Sequence, residues 1–153
     1  MIDIHNEYSQ INNFLVTVFN EVLRTEEASL KTKEFKNLSM REMHVIEAVC
    51  DAVETGKNTA SEIASSQKIT AGTLTTTIRT LEKKGYVLRS QDQRDKRVVR
   101  IFPTEKGINA NKVHATFHHE MVSSIMSAMK EDELTGFVKG LSAVQDFLQN
   151  KSK

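Results

Sequence analysis

Residues 70–104, TAGTLTTTIRTLEKKGYVLRSQDQRDKRVVRIFPT, read as one helix followed at once by a two-stranded hairpin. Leu74, Ile78 and Leu81 recur at i, i+4 and i+7, so they share one apolar stripe. At about 100° per residue, the opposite stripe carries Gly72, Thr75, Thr76, Arg79, Thr80 and Lys83. Small hydroxyl side chains, a glycine and two cations suit a helix that a flat anionic surface approaches closely, and the DNA major groove is such a surface. Lys83 and Lys84 followed by Gly85 make a helix C-terminus: cations in the last turn, then a residue that tolerates positive φ. Tyr86, Val87 and Leu88 open one strand, and Val98, Val99, Ile101 and Phe102 supply its return. The segment between them holds Asp92, Arg94, Asp95, Lys96 and Arg97. Taken alone it is an ordinary solvated turn; beside the polar-faced helix it reads as a wing.

Outward from this stretch the chain is helical. Ser39 and Glu42 form a capping box that opens a helix with Met43, Ile46, Val49, Cys50 and Val53 on its buried side, and Gly56 ends it. Thr59 and Glu62 form a second box, with Ile63 and Ala64 pointing inward, and the turn SQKI leads to Thr70, the cap of the helix described first. Helix, short turn, polar-faced helix and hairpin are predicted to form a winged helix-turn-helix over residues 38–103. Residues 1–34 and 104–150 are predicted to be a helical dimerisation region. Ile11, Phe14, Leu15, Val18, Phe19, Val22 and Leu23 mark a long first helix. After Thr104 and Glu105, Val113, Phe117, Met121, Ile125 and Met129 recur every four residues along another. Asp132 and Glu133 open a last helix striped with Leu134, Phe137, Val138, Leu141, Val144 and Leu148. Helices this long have too few partners in one chain, so a two-fold dimer on a palindromic double-stranded operator is expected.

Charge points the same way. The whole chain has 21 basic and 20 acidic residues, yet residues 68–106 carry a net +6 and residues 1–67 a net −5. A basic patch on a near-neutral protein is an electrostatic footprint for phosphate. The lone Cys50 forms no disulfide within a chain; it reads as a buried thiol, with a redox sensor as the sharper alternative. The polar N-terminus has no signal-peptide pattern, and no apolar run is long enough to span a membrane, so a cytoplasmic protein without a membrane partner is expected. No phosphate loop, nucleophile elbow or paired carboxylates in apolar surroundings are present, so the chain is not read as an enzyme. A pure protein-interaction module would not need the basic, small-faced helix.

The motifs TASEIASSQKITAGTLTTTIRTLEKKGYVLR, DQRDKR and FPTEKG resemble the core, the wing signature and the post-wing segment of the MarR family of bacterial transcription regulators. The resemblance covers nearly the whole chain. It implies a mainly α fold with a small β-wing, and a dimeric regulator, usually a repressor, often controlled by a small ligand. EEASLKTKEFKNLSMREMHVIEAV, FHHEMVSSIMSAMKEDEL and KGLSAVQDFL further resemble the FabT-type repressors of fatty-acid synthesis genes. That subgroup implies acyl carrier protein bearing a long acyl chain as corepressor, with no other cofactor.

These readings assign residues. Arg79 is the candidate for bidentate guanine contact, Thr75 and Thr76 for thymine methyls and base edges, and Lys83, Lys84 and the start of the recognition helix for phosphate. Thr59, Thr70, Gly72 and Thr73 complete that set. Arg97, with Arg94 and Lys96, is expected at the minor groove, and Asp95 is expected to orient an arginine. An acyl chain would be lined by Ile11, Phe14, Leu15, Val18, Phe19, Met43, Ile46, Phe117 and Met121, although for any one of them a place in the core is the better reading. Lys31, Lys33, Lys36 and Arg41 form a basic cluster for an acidic carrier protein, or a plain solvated connector. A rival constellation is His114 and His118 at i, i+4 with His44 and Glu26, which would bind zinc as in zinc-responsive members of the same family, in a repressor of metal uptake genes. The ordinary reading of those histidines is hydrogen-bonded packing.

Overall fold

The computed structural model describes residues 3–31 and 34–153. The elements are α1 (Ile4–Asn13), a π-helical segment (Phe14–Val18), α2 (Phe19–Lys31), α3 (Met40–Thr55), α4 (Ala60–Ser66), α5 (Ala71–Lys83), β1 (Val87–Gln91), β2 (Val99–Pro103), α6 (Glu105–Ser127) and α7 (Glu131–Lys151). The protein is thus mainly helical, with one antiparallel hairpin in which Val87 pairs with Pro103 and Gln91 with Val99.

The helix starts follow from their caps. Ser39 and Thr59 each accept from the backbone N–H of the residue three ahead, while Glu42 and Glu62 reach back to the cap N–H. Thr70 Oγ1 accepts from Thr73 N–H to open α5, and Thr104 Oγ1 accepts from Gly107 N–H to open α6. Each bond satisfies a donor that a helix N-terminus otherwise leaves to water. Gly56 and Gly85, at φ +70° and +84°, end α3 and the turn after α5 in a conformation costly for any residue with a Cβ.

Two compact units emerge, Met1–Ala115 and Thr116–Lys153, with the boundary inside α6. The first unit has one core, in which Leu30 of α2 and Ala110 of α6 join Met43, Ile46, Val49, Ile63, Leu74, Ile78, Leu81, Val87 and Ile101. Tyr86 is fully buried in it, its hydroxyl donating to Asn37 Oδ1 at 2.7 Å. Gly107 explains the FPTEKG segment: a Cβ there would stand 2.2 Å from the Tyr86 carbonyl oxygen, so α6 starts against the turn only because that residue has no side chain.

The first helix departs from the reading of a single amphipathic rod. Its backbone passes through a π turn at Phe14–Val18, and its apolar stripe does not enter the chain's own core. Ile11, Phe14, Leu15 and Phe19 are exposed, whereas the buried members of α2 are Glu26 and Leu30. In the second unit, Val138, Leu141, Phe147 and Leu148 of α7 are exposed, while Leu134, Phe137 and Val144 are half-buried. Among the described residues, no helix is long and apolar enough to cross a membrane.

Candidate nucleic-acid interface

The recognition helix α5 presents two faces. Leu74, Ile78 and Leu81 are buried at 1% exposure or less, and Gly72, Thr75, Thr76, Arg79 and Lys83 are exposed. Thr80 is half-buried. Nothing lies within 4 Å of a Cβ built on Gly72, so its smallness serves no neighbour within the chain. The threonines do more than fill the face. Thr75 Oγ1 donates to Ala71 O at 2.8 Å, and Thr76 Oγ1 to Gly72 O at 3.1 Å. With the hydroxyl proton spent inside the helix, each side chain offers outward a methyl group and oxygen lone pairs only. Such a pair suits the thymine methyl and amino donors of adenine or cytosine, not base acceptors.

The hairpin is anchored at its base. Arg100 Nε donates to Asp92 Oδ2, and Arg100 Nη1 donates to Asn58 Oδ1 at 3.0 Å and to the Gly56 carbonyl. Asn58 is buried; its Nδ2 donates to Ile101 O, and Ile101 N–H donates to Asn58 O. Thr59 bridges to Arg100. These bonds latch the wing to the turn between α3 and α4. The Arg100 hydrogen bond, helped by the backbone N–H groups of Arg94 and Asp95, holds the Asp92 carboxyl at about 2, below its ordinary 3.8. At the tip, Asp95 grips Arg97 through Nε and Nη2, both at 3.1 Å, with the arginine side chain 91% exposed. That pair lowers the Asp95 pKa and raises that of Arg97. Arg94 and Lys96 are exposed beside it.

Other assignments need correction. Lys84 does not reach outward to phosphate: its ammonium lies 2.8 and 3.0 Å from the Glu42 carboxylate oxygens and also donates to the Asn37 carbonyl. A lysine long enough to fold back finds a carboxylate and a carbonyl there, and it ties the end of α5 to the start of α3. The Thr59 hydroxyl is committed to the α4 cap, donating to Glu62 Oε2 at 2.8 Å. Met43 and Ile46, placed along an acyl tunnel, are fully buried in the close-packed core, because α3 faces α4, α5 and β2. Val18 is half-buried, unlike its exposed neighbours on the first helix. Phe117 and Met121 are half-buried in the second unit, where the Phe117 ring meets the His118 ring edge-on at 5.6 Å. Lys31 is exposed but paired with Glu27 at 2.7 Å; Lys36 and Arg41 are exposed; Lys33 lies outside the described residues. Cys50 is half-buried, and burial pushes its thiol up to about 11, against a readily ionised redox thiol.

Glu26, His44 and His114 come together. Glu26 Oε1 is 3.3 Å from His114 Nδ1 and 3.7 Å from His44 Nε2, and the two rings meet edge-on. Glu47 Oε2 lies 3.1 Å from His114 Nε2. Arg100 and Glu47 had no signal of their own in the sequence. Asn58 had a faint one, a polar residue just ahead of the Thr59 cap.

A polar recognition helix on an intact core, preceded by a capped helix and followed by a latched basic hairpin, defines a winged helix-turn-helix protein. A model of the MarR family matches residues 38–99. The crystal structure of Streptococcus pneumoniae FabT in complex with DNA is 36% identical, with a TM-score of 0.84 over 94% of this chain and 98% of that one. The chain belongs to the MarR family, whose fold is that of DNA-binding transcription regulators. The S. aureus MepR–DNA complex shares the fold at 20% identity, with a TM-score of 0.67 over 90% of this chain and 97% of that one. The HTH-type transcriptional regulator TtmR of Methylorubrum extorquens (strain PA1) is 32% identical over 91 residues, 60% of this chain and 46% of that protein. The chain therefore matches about half the length of that curated relative.

Proposed function

We propose that this protein is a dimeric repressor that binds a palindromic operator ahead of fatty-acid synthesis genes, and that acyl carrier protein bearing a long acyl chain is its corepressor. The observation that carries the reading is the likeness to FabT over nearly the whole chain, at 36% identity, well above that to MepR. In this reading α5 enters the major groove. Arg79 takes guanine, Thr75 and Thr76 take methyls and amino donors, and Gly72 leaves room for close backbone approach. Arg97, steadied by Asp95, enters the adjacent minor groove. The exposed apolar side chains of α1, the π segment and α7 are the surface a second copy would cover.

Control is a population shift. A ligand that fits one arrangement of the two recognition helices better than another changes DNA affinity by that difference. The acyl chain would lie against Ile11, Phe14, Leu15 and Phe19, and the acidic carrier against Lys31, Lys36 and Arg41. Fluorescence anisotropy with labelled operator DNA tests this. Long-chain acyl carrier protein is expected to tighten binding, and the unacylated carrier to leave it unchanged. Equal effects of the two, or none from either, would overturn the corepressor role.

A further inference from the structure

Three segments far apart in sequence meet just after α5: the connector ahead of α3, the turn at residues 84–86 and the start of α6. Lys84 reaches back from the turn. Its ammonium lies 2.8 and 3.0 Å from the Glu42 carboxylate oxygens and donates to the Asn37 carbonyl. Lys106 reaches in from α6. Its ammonium donates to the Lys84 carbonyl at 3.2 Å and stands 4.5 Å from the centre of the Tyr86 ring. Tyr86 closes the circuit by donating to Asn37 Oδ1 at 2.7 Å.

Each contact has a physical reason. The last carbonyls of a helix lack partners within it, and that end carries partial negative charge. Lys106, a cation from the next helix, satisfies the carbonyl at the end of α5, and the Tyr86 ring face attracts the same charge. Glu42 Oε2 also accepts from Ser39 N–H at 3.0 Å, so one carboxylate holds the start of α3 and the end of α5 together. The Lys84 and Glu42 side chains are 27% and 14% exposed, so salt screens this pair less than one on the open surface. Beside the lysines, Thr104 Oγ1 donates to the Gly85 carbonyl at 2.6 Å, and Gly107 lies against the Tyr86 carbonyl. Contacts at one point leave a helix free to swing about it. The lysines, reaching to either side, remove that freedom.

We infer that Lys84 and Lys106 are positioning residues that hold α5 at a fixed angle to the start of α6, and so set the half-site spacing the dimer accepts. The inference rests on the reading of α5 as the helix that enters DNA, and on neither the genes controlled nor the corepressor. In a two-fold dimer each recognition helix must meet its own half-site. One added base pair moves the half-sites apart by about 3.4 Å and turns one against the other by about 35°. A braced pair of helices cannot follow that change, and a loosened pair can.

The probe is a duplex that the wild-type protein selects from a random pool, compared with the same duplex carrying one extra central base pair. The wild type should bind the longer duplex about 10²–10⁴-fold more weakly, because only one half-site then engages. Lys84→Met and Lys106→Met should each narrow that ratio about 3–30-fold, with the slope of log affinity against log salt unchanged. Lys106→Met removes one hydrogen bond and one ring contact at a half-buried position, and should keep the fold by circular dichroism. Arg79→Ala tests the DNA-reading role of α5 separately, and should weaken both duplexes alike. A wild-type ratio kept in both lysine variants would overturn the inference. So would a salt slope shallower by about 0.9 for each copy bound, the mark of a lost phosphate contact.

Discussion

In the winged region, Leu74, Ile78 and Leu81 of α5 are exposed by 1% or less; along the first helix, Ile4, Tyr8, Ile11, Phe14, Leu15 and Phe19 are exposed by 45–76%. Both stretches carry a helical apolar pattern of similar clarity. The difference lies in where each finds its partner. The winged region closes on a core supplied by its own chain, and the first helix and α7 keep their apolar faces outward. Periodicity reports that a face must be buried; it says nothing about which molecule buries it.

The largest expected effect comes from breaking the second region alone. Charged substitutions at Phe14 and Phe147, written Phe14→Glu and Phe147→Glu, should turn the dimer into monomers in analytical ultracentrifugation. Operator affinity should then fall by about 10²–10⁴-fold, since two linked half-site contacts become one. The Tm of the first unit should hardly change. A large loss of Tm would mean that those faces stabilise the monomer.

Breaking the first region should do the reverse. Gly107→Ala forces a Cβ against the Tyr86 carbonyl and should cost about 3 kcal/mol of stability, read by denaturant melts, before any effect on DNA. Arg79→Ala should leave the melt unchanged. It should cost about 1–3 kcal/mol of operator binding, with relaxed preference at one base pair per half-site in a competition assay. A mutant that keeps wild-type preference would remove Arg79 from the base-reading role.

The smallest effect concerns the latch. The Asp92 pKa is lowered in the folded protein, so its contribution is present above about 3.8 and is lost as pH falls through about 2. Carboxyl NMR should show Asp92 titrating near the lower value, and Arg100→Ala should return it toward the ordinary one. A wild-type midpoint at the ordinary value would mean that the hairpin is not held there.

These comparisons also mark what the sequence made legible. The capping boxes at Ser39 and Thr59, the caps Thr70 and Thr104, and the stripe of α5 are local, each set by residues three or four apart, and all appear in the structure. The Asp95–Arg97 grip is local too. The Arg100 latch joins residues 42 and 44 positions away, and the Lys84–Glu42 pair spans 42. Nothing in a charge run tells which cation turns inward to find such a partner. Lys83 and Lys84 look alike in sequence, and only the fold separates an outward phosphate candidate from an internal clamp.

The π turn at Phe14–Val18 has a consequence for how the first helix divides its loyalties. One extra residue in a turn swings everything beyond it by about 100° around the axis. A straight rod would offer a single seam from Ile4 to Leu30, and the chain's own core and an outside partner would compete for it. With the swing, Leu30 and Glu26 can face inward while Ile4 and Ile11, ahead of the turn, keep a separate bearing. The helix works like a key cut on two edges, one fitted to its own lock and one left for another.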